Sequence, residues 1–251
     1  MCYMTTKLYN ADCFEIFPEI PSLSIDAIIC DLPYGTTNCP WDSVLPLDAL
    51  WESYKRIIKP NGAILLFGSE PFASMLRLSN LKWFKYDWIW DKVQASGFLN
   101  AKKQPMRVHE TISVFYKSQC TYNPIMTTGH KQKRSYRSTK KFSDIYNATL
   151  HSASYSSTER YPQSIQVFAK DTQKEALHPT QKPIALLEYL VMTYTNEGDT
   201  VLDNCMGSGT TGVACKNLSR HFIGIEKEPK YFEIARQRIM LGQQPLFGSR
   251  T

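Results

Sequence analysis

A chain of 251 residues is long enough to bury a large core, either as one α/β domain or as two smaller ones. Its 43% hydrophobic and 21% charged residues are those of an ordinary soluble globular protein, and no apolar run is long enough to span a bilayer. The formal net charge of +6 tilts towards a polyanionic partner, a bias that becomes informative only where the basic residues cluster.

Taken in chain order, MCYMTTKLYN has no apolar targeting segment. IDAIIC (25–30) predicts a buried strand that stops on DLPYG (31–35). LDALWESYKRIIKPNG (47–62) predicts an amphipathic helix ended by Pro60 and Gly62. AILLFG (63–68) is a second buried strand, and PFASMLRLSN opens a helix at Pro71. The aromatic and β-branched stretches WFKYDWIWDK and TISVFYK predict two further strands. From 118 to 177 the chain turns rich in Ser, Thr, Lys and Tyr and loses apolar periodicity. So long a loop is unusual inside a compact domain, so an inserted recognition region is expected there, between two parts of one catalytic domain, 1–117 and 178–251. Regular structure resumes with the helix PIALLEYLVMTYT (183–195), whose Leu186, Leu187, Leu190 and Val191 share a face. The strand TVLDNC, the helix TTGVACKNL, the strand HFIGIE and the helix PKYFEIARQRI follow. Strand-then-helix order predicts a mostly parallel sheet with helices on both faces.

The seven cysteines are scattered, form no CxxC pair and have no zinc-ligand spacing with histidine. A cytoplasmic, reducing location with no metal and no membrane partner is the expectation.

LDNCMGSGTTGVA runs strand, glycine turn, helix, and Gly207-Ser208-Gly209-Thr210-Thr211-Gly212 spells GxGxxG. Glycines allow close backbone approach, and the helix start offers unpaired N–H groups. The next strand ends on Glu226, close to the ~20-residue offset at which an acidic side chain meets ribose hydroxyls. An adenosine-containing cofactor is expected. Only 25 residues follow Glu226, so the sheet must be completed by earlier strands, which counts against a simple dinucleotide enzyme.

DLPYG lies at the carboxyl end of its strand, where a parallel sheet places ligands, as does the glycine turn. Asp31 can accept one hydrogen of an aromatic amine and the Leu32 carbonyl the other, Pro33 fixes that carbonyl, and Tyr34 can stack on the ring. Those are the parts needed to methylate an aromatic amine. DLPYG, then HPTQKP, then LDNCMGSGTTGVA resembles the β-class of amino-methylating DNA methyltransferases, over nearly the whole chain. The resemblance implies a Rossmann-like S-adenosylmethionine-dependent fold with circularly permuted motif order and an inserted target-recognition region. It implies Asp31, Leu32, Pro33 and Tyr34 as the catalytic loop, and Asp12, Asp31, His178, Thr180, Lys182, Asp203, Gly207, Ser208, Gly209, Thr210 and Glu226 around the methyl donor. Asp rather than Ser at the head of the motif implies adenine N6 over cytosine N4, with a cytosine-N4 enzyme or a catalytically silent DNA-binding relative as the alternatives, and the family carries an expectation of a homodimer. Three positions depart from its pattern: Leu32 replaces the first proline of the motif, and Asn204 and Cys205 replace a Pro-Phe pair.

Double-stranded DNA is the partner so implied. GHKQKRSYRSTKKF gathers Lys131, Lys133, Arg134, Arg137, Lys140 and Lys141 with Tyr136 and Phe142, a composition suited to phosphates. Lys102 and Lys103 are also in a position to reach phosphates. His109 and Glu110 are read as structural hydrogen-bonders.

Overall fold

A computed structural model describes residues 4–35, 43–137, 153–170 and 181–241. They fall into two compact units: a larger one drawn from 1–123 and 164–251, and a smaller one from 124–163.

The larger unit is built on an eight-stranded sheet in the order β1-β10-β9-β2-β3-β5-β4-β8. Its strands are β1 (Thr6–Tyr9), β2 (Ile25–Cys30), β3 (Ile58–Gly68), β4 (Phe84–Ser96), β5 (Arg107–Phe115), β8 (Ile165–Val167), β9 (Thr200–Asp203) and β10 (His221–Ile225). All run the same way except β5, which pairs antiparallel with β3 and β4. The glycine-turn strand β9 sits between β10 and β2, so the permuted, Rossmann-like methyltransferase arrangement expected from the motif order is the one observed.

Alternation explains why β2 and β3 read as continuous apolar runs. Ala27, Ile29, Ala63, Leu65 and Phe67 pack on one face with residues of α4 (Ile184–Tyr194), α5 (Thr210–Asn217) and α6 (Pro229–Leu241). Ile28, Cys30, Ile64 and Leu66 pack on the other with α1 (Cys13–Ile16), α2 (Leu47–Ile57) and α3 (Phe72–Ser79). A strand covered on both faces has no solvent side on which to place polar residues.

Several boundaries differ from the sequence reading, two of them because of partners far along the chain. The helix expected over 47–62 ends at Ile57, because Ile58 pairs with Ile25 and opens β3. Of the segment expected as an insert, Ile165–Val167 pairs with β4, while the amides of Thr121 and Asn123 bond to Asn61 and Thr193 in the larger unit. The compact inserted unit is therefore 124–163.

Within that smaller unit, β6 (Lys133–Arg137) and β7 (Ala153–Ser157) form an antiparallel pair. The Arg160 guanidinium donates to the Lys131 carbonyl at 2.6 Å.

Candidate active site

Beyond Cys30 the chain leaves β2 as Asp31-Leu32-Pro33-Tyr34. Leu32 is buried among the α1–α3 side of the core, which anchors the loop between its two polar residues. Tyr34 donates its hydroxyl to Asp31 Oδ1 at 2.6 Å, and its ring stacks on Phe72 at 5.1 Å with 24° between planes. Lys182 Nζ donates to Asp31 Oδ2 at 2.5 Å. Burial pushes the Asp31 carboxyl above the ordinary aspartate range, with Lys182 pulling the other way and Glu110 adding to the rise. Burial also pushes the Tyr34 phenol well up, so Tyr34 is a hydrogen-bond donor and not a base.

Behind Asp31 the charges alternate. Lys182 also lies 3.3 Å from Glu110 Oε2, and Glu110 Oε1 accepts from Lys92 at 3.2 Å. Burial works against the Lys182 ammonium, but Asp31 and Glu110 outweigh it and raise its pKa. Burial likewise opposes the Glu110 carboxylate, and the two lysines outweigh it and hold the group below its usual range. Lys92 is lowered, by burial first. The sequence reading gave Glu110 only a structural hydrogen bond; the structure makes it the hinge of a four-charge chain that ends on Asp31. Strand alternation carried the signal: Glu110 shares a face with Ile112 and Val114, and Lys92 with Trp88 and Trp90, all four of them buried.

The second wall is the turn after β9. Gly207 N–H donates to Glu226 Oε2 at 2.8 Å, and Glu228 N–H to Glu226 Oε1 at 2.8 Å, so the acid at the end of β10 braces the glycine turn. Gly209 takes φ +78°, and a Cβ there would lie 2.9 Å from Ala235 Cβ, so only glycine lets α6 pack on the start of α5. Arg238 of α6 pins Ser208 from below, donating to its carbonyl and to its hydroxyl at 2.9 Å. Asn204, one of the departures from the family pattern, accepts the buried Tyr54 hydroxyl at 2.5 Å.

Asp203 accepts from the Thr211 hydroxyl at 2.7 Å and from Cys205 N–H at 3.2 Å. Burial nevertheless pushes its carboxyl up to about 7 from 3.8. The folded state then binds the extra proton between those two values, so stability falls as pH rises through that window and the cost is fully present above it. Thermal unfolding of the ligand-free protein and of Asp203→Asn, between about pH 5 and about pH 8, is expected to show the variant gaining relative to the parent as pH rises. Parallel curves would remove the buried charge as a cost.

A cavity of about 590 Å³ brings these walls together. Asp12, Asp31, Leu32, Pro33, Tyr34, Lys182, Asp203, Gly207, Ser208, Thr210 and Glu226 all line it, with Lys92, Glu110 and Cys205. Asp12 also caps α1 through Phe14 N–H at 3.0 Å and pairs with Lys227 at 3.2 Å. Gly209 is not among the lining residues; it faces α6 instead. His178 and Thr180 lie outside the described residues, as do Lys140 and Lys141. Lys131, Lys133 and Arg134 are exposed on the smaller unit, and Arg137 ends β6.

The family model described as DNA methylase matches residues 25–237, a span that holds both walls of this cavity. The chain belongs to the N4/N6 DNA methylase family. Among relatives of this DNA methylase, the type II methyltransferase M.HinfI of Haemophilus influenzae is 28% identical over 266 residues, covering 92% of this chain and 67% of that protein. The type II methyltransferase M2.DpnII of Streptococcus pneumoniae is 27% identical over 258 residues, covering 92% and 88%. The crystal structure of an M1.HpyAVI–SAM complex superposes with a TM-score of 0.65 at 29% identity, covering 94% of this chain and 99% of that one. The cytosine-N4-specific PvuII DNA methyltransferase shares the fold, with a TM-score of 0.68 at 16% identity over 97% and 88% of the two chains.

Proposed function

We propose that this DNA methylase transfers a methyl group from S-adenosylmethionine to the exocyclic N6 of an adenine flipped out of double-stranded DNA. One observation carries the reading: Asp31 and Tyr34 meet at a strand end that opens into the same cavity as the glycine turn and Glu226. The donor would supply an electrophilic methyl on a sulfonium, and the acidic lining of Asp12, Asp31, Asp203 and Glu226 suits its positive charge.

The chain's own residues do the rest. Asp31 accepts one N6 hydrogen and the Leu32 carbonyl the other, which draws the nitrogen lone pair out of conjugation with the ring. That lone pair forms the new N–C bond as the C–S bond breaks towards sulfur. The surplus proton then leaves the methylated amine to water, so no histidine base is required. Lys182 fixes one carboxylate oxygen of Asp31 and thereby its plane. Phe72 backs one face of Tyr34, so the base stacks on the opposite face. Flipping costs a few kcal/mol, which stacking of ~1–3 kcal/mol offsets in part. The remainder comes from phosphate contacts by Lys131, Lys133, Arg134, Arg137, Lys140 and Lys141, which makes the inserted region the target-recognition element. Adenine is favoured by the aspartate at the head of the catalytic motif. A homodimer belongs to the reading on the family resemblance alone.

Nucleoside mass spectrometry on unmethylated genomic DNA, after incubation with the protein and the donor, tests the proposal. N6-methyladenine is the expected product. N4-methylcytosine would overturn the base assignment, and no methylated base with the donor bound would overturn the reaction.

A further inference from the structure

The hairpin between β4 and β5 is not accounted for by the catalytic cavity. β4 runs in the same direction as β2 and β9, so residues 97–106 leave the sheet at the edge where Asp31 and Asp203 end their strands. The last paired residues at its base, Ser96 and Arg107, line the same cavity as Asp31. The tip therefore stands at the mouth of the active site.

It has a defined shape. Gly97 takes φ +91°, which starts a 3₁₀ turn over Phe98–Asn100. Asn100 N–H donates to the Gly97 carbonyl at 2.9 Å, Ala101 N–H to Phe98 at 3.0 Å, and Lys103 N–H to Asn100 at 2.8 Å. That turn holds two large apolar side chains out in solvent: Phe98 is 79% exposed and Leu99 97%. Lys102 and Lys103, which follow in the tip, are exposed as well, as is Arg107 at the base, and no acid lies between Gly97 and Val108. An ordered backbone that presents an aromatic and an aliphatic side chain, ringed by cations alone, has the chemistry of a surface that enters a base stack and meets phosphates on either side.

We infer that the β4–β5 tip contacts duplex DNA, with Phe98 and Leu99 filling the gap left by the flipped base and Lys102 and Lys103 on the flanking phosphates. The inference rests on the reading that the cavity receives a base from a duplex, and it names the element that opens the duplex. This element belongs to the larger unit and is separate from the basic run on the inserted one.

The double substitution Phe98→Ser, Leu99→Ser removes only exposed apolar atoms, and an unchanged melting temperature checks that the fold is kept. Binding of unmethylated duplex fragments is read by fluorescence anisotropy, and methyl transfer is compared on duplex genomic DNA and on the same DNA after heat denaturation. The expected result is weaker duplex binding and a fall of about tenfold or more in the ratio of duplex to denatured transfer rates. Unchanged duplex binding, or equal proportional losses on both substrates, would overturn the wedge. A drop in sedimenting mass with no change in duplex binding would overturn it in favour of a contact between subunits. The parent protein reports separately on the function: if it binds duplex through the tip yet transfers no methyl group, the contact stands and the methyltransferase reading falls.

Discussion

Asp31→Ala is expected to lower single-turnover methyl transfer by about a thousandfold or more, while the dissociation constant for the donor changes only a few-fold. In the proposed reaction the carboxylate acts on the substrate amine, where electron density must be released into the new bond. It is also one of several acids lining the cavity, so on the proposed reading its loss to the donor is shared. The cationic neighbour is not stranded by the change, because Lys182 keeps Glu110 at 3.3 Å. Asp31→Asn makes a sharper comparison. It keeps an acceptor for the Tyr34 hydroxyl but turns an amide N–H₂ towards the Lys182 ammonium or the substrate amine, both donors, so a large part of the loss is expected to persist. Rapid-quench transfer with labelled donor, with calorimetric donor binding alongside, separates chemistry from affinity. Transfer at the parent rate in Asp31→Ala would remove this carboxylate from the reaction. The raised Asp31 pKa also sets a direction: the transfer rate should fall on the acid side, above the ordinary aspartate range, as the carboxylate takes up its proton.

Glu110→Gln should cost the fold ~3–5 kcal/mol, because removing one member of a buried ion pair leaves an uncompensated charge. The stranded group is Lys92, only 3% exposed, whose ammonium is bonded to Glu110. For a protein of this size such a loss corresponds to a fall in melting temperature on the order of 10 °C. The sign with pH follows from the shift. Glu110 is held below its unfolded pKa, so its contribution is present above the ordinary glutamate range and is lost as pH falls through the folded value. The gap between parent and variant should therefore close in acid. The double substitution Glu110→Gln, Lys92→Met removes both charges and should recover part of the lost stability, since no buried ammonium is left without its counter-charge. A double variant no more stable than the single one would show that the cost of Glu110→Gln is not electrostatic.

The parts of this molecule that could be read from residues alone are those decided by short-range physics or by fixed spacing. The runs IDAIIC and AILLFG could only be strands covered on both faces, and the glycine turn with Glu226 announced a nucleotide-like site because each residue type there has a backbone reason. What escaped depends on partners far along the chain. The end of α2 was misplaced because the helical pattern through Ile58 and Lys59 gives way only once Ile58 finds Ile25. Glu110 escaped for a related reason: it faces the same way as Ile112 and Val114, but the meaning of that alternation appears only when Lys182, more than 70 residues later, is seen to cross to it. At Gly209 the atoms that demand glycine belong to α6, which the local motif does not name.

The position of β9 and β10 inside the sheet bears on how the protein comes off the ribosome. β1 is made first, yet its partner in the sheet is β10, and β10 and β9 together separate it from β2. While the first two hundred or so residues emerge, β2 has β3 on one side and a bare hydrogen-bonding edge on the other, and β1 has no neighbour to pair with. The sheet closes only once residues 221–225 have been synthesised. The glycine-turn wall of the cavity is therefore the late one, and a nascent chain in which Asp31 is already exposed still lacks the wall that faces it.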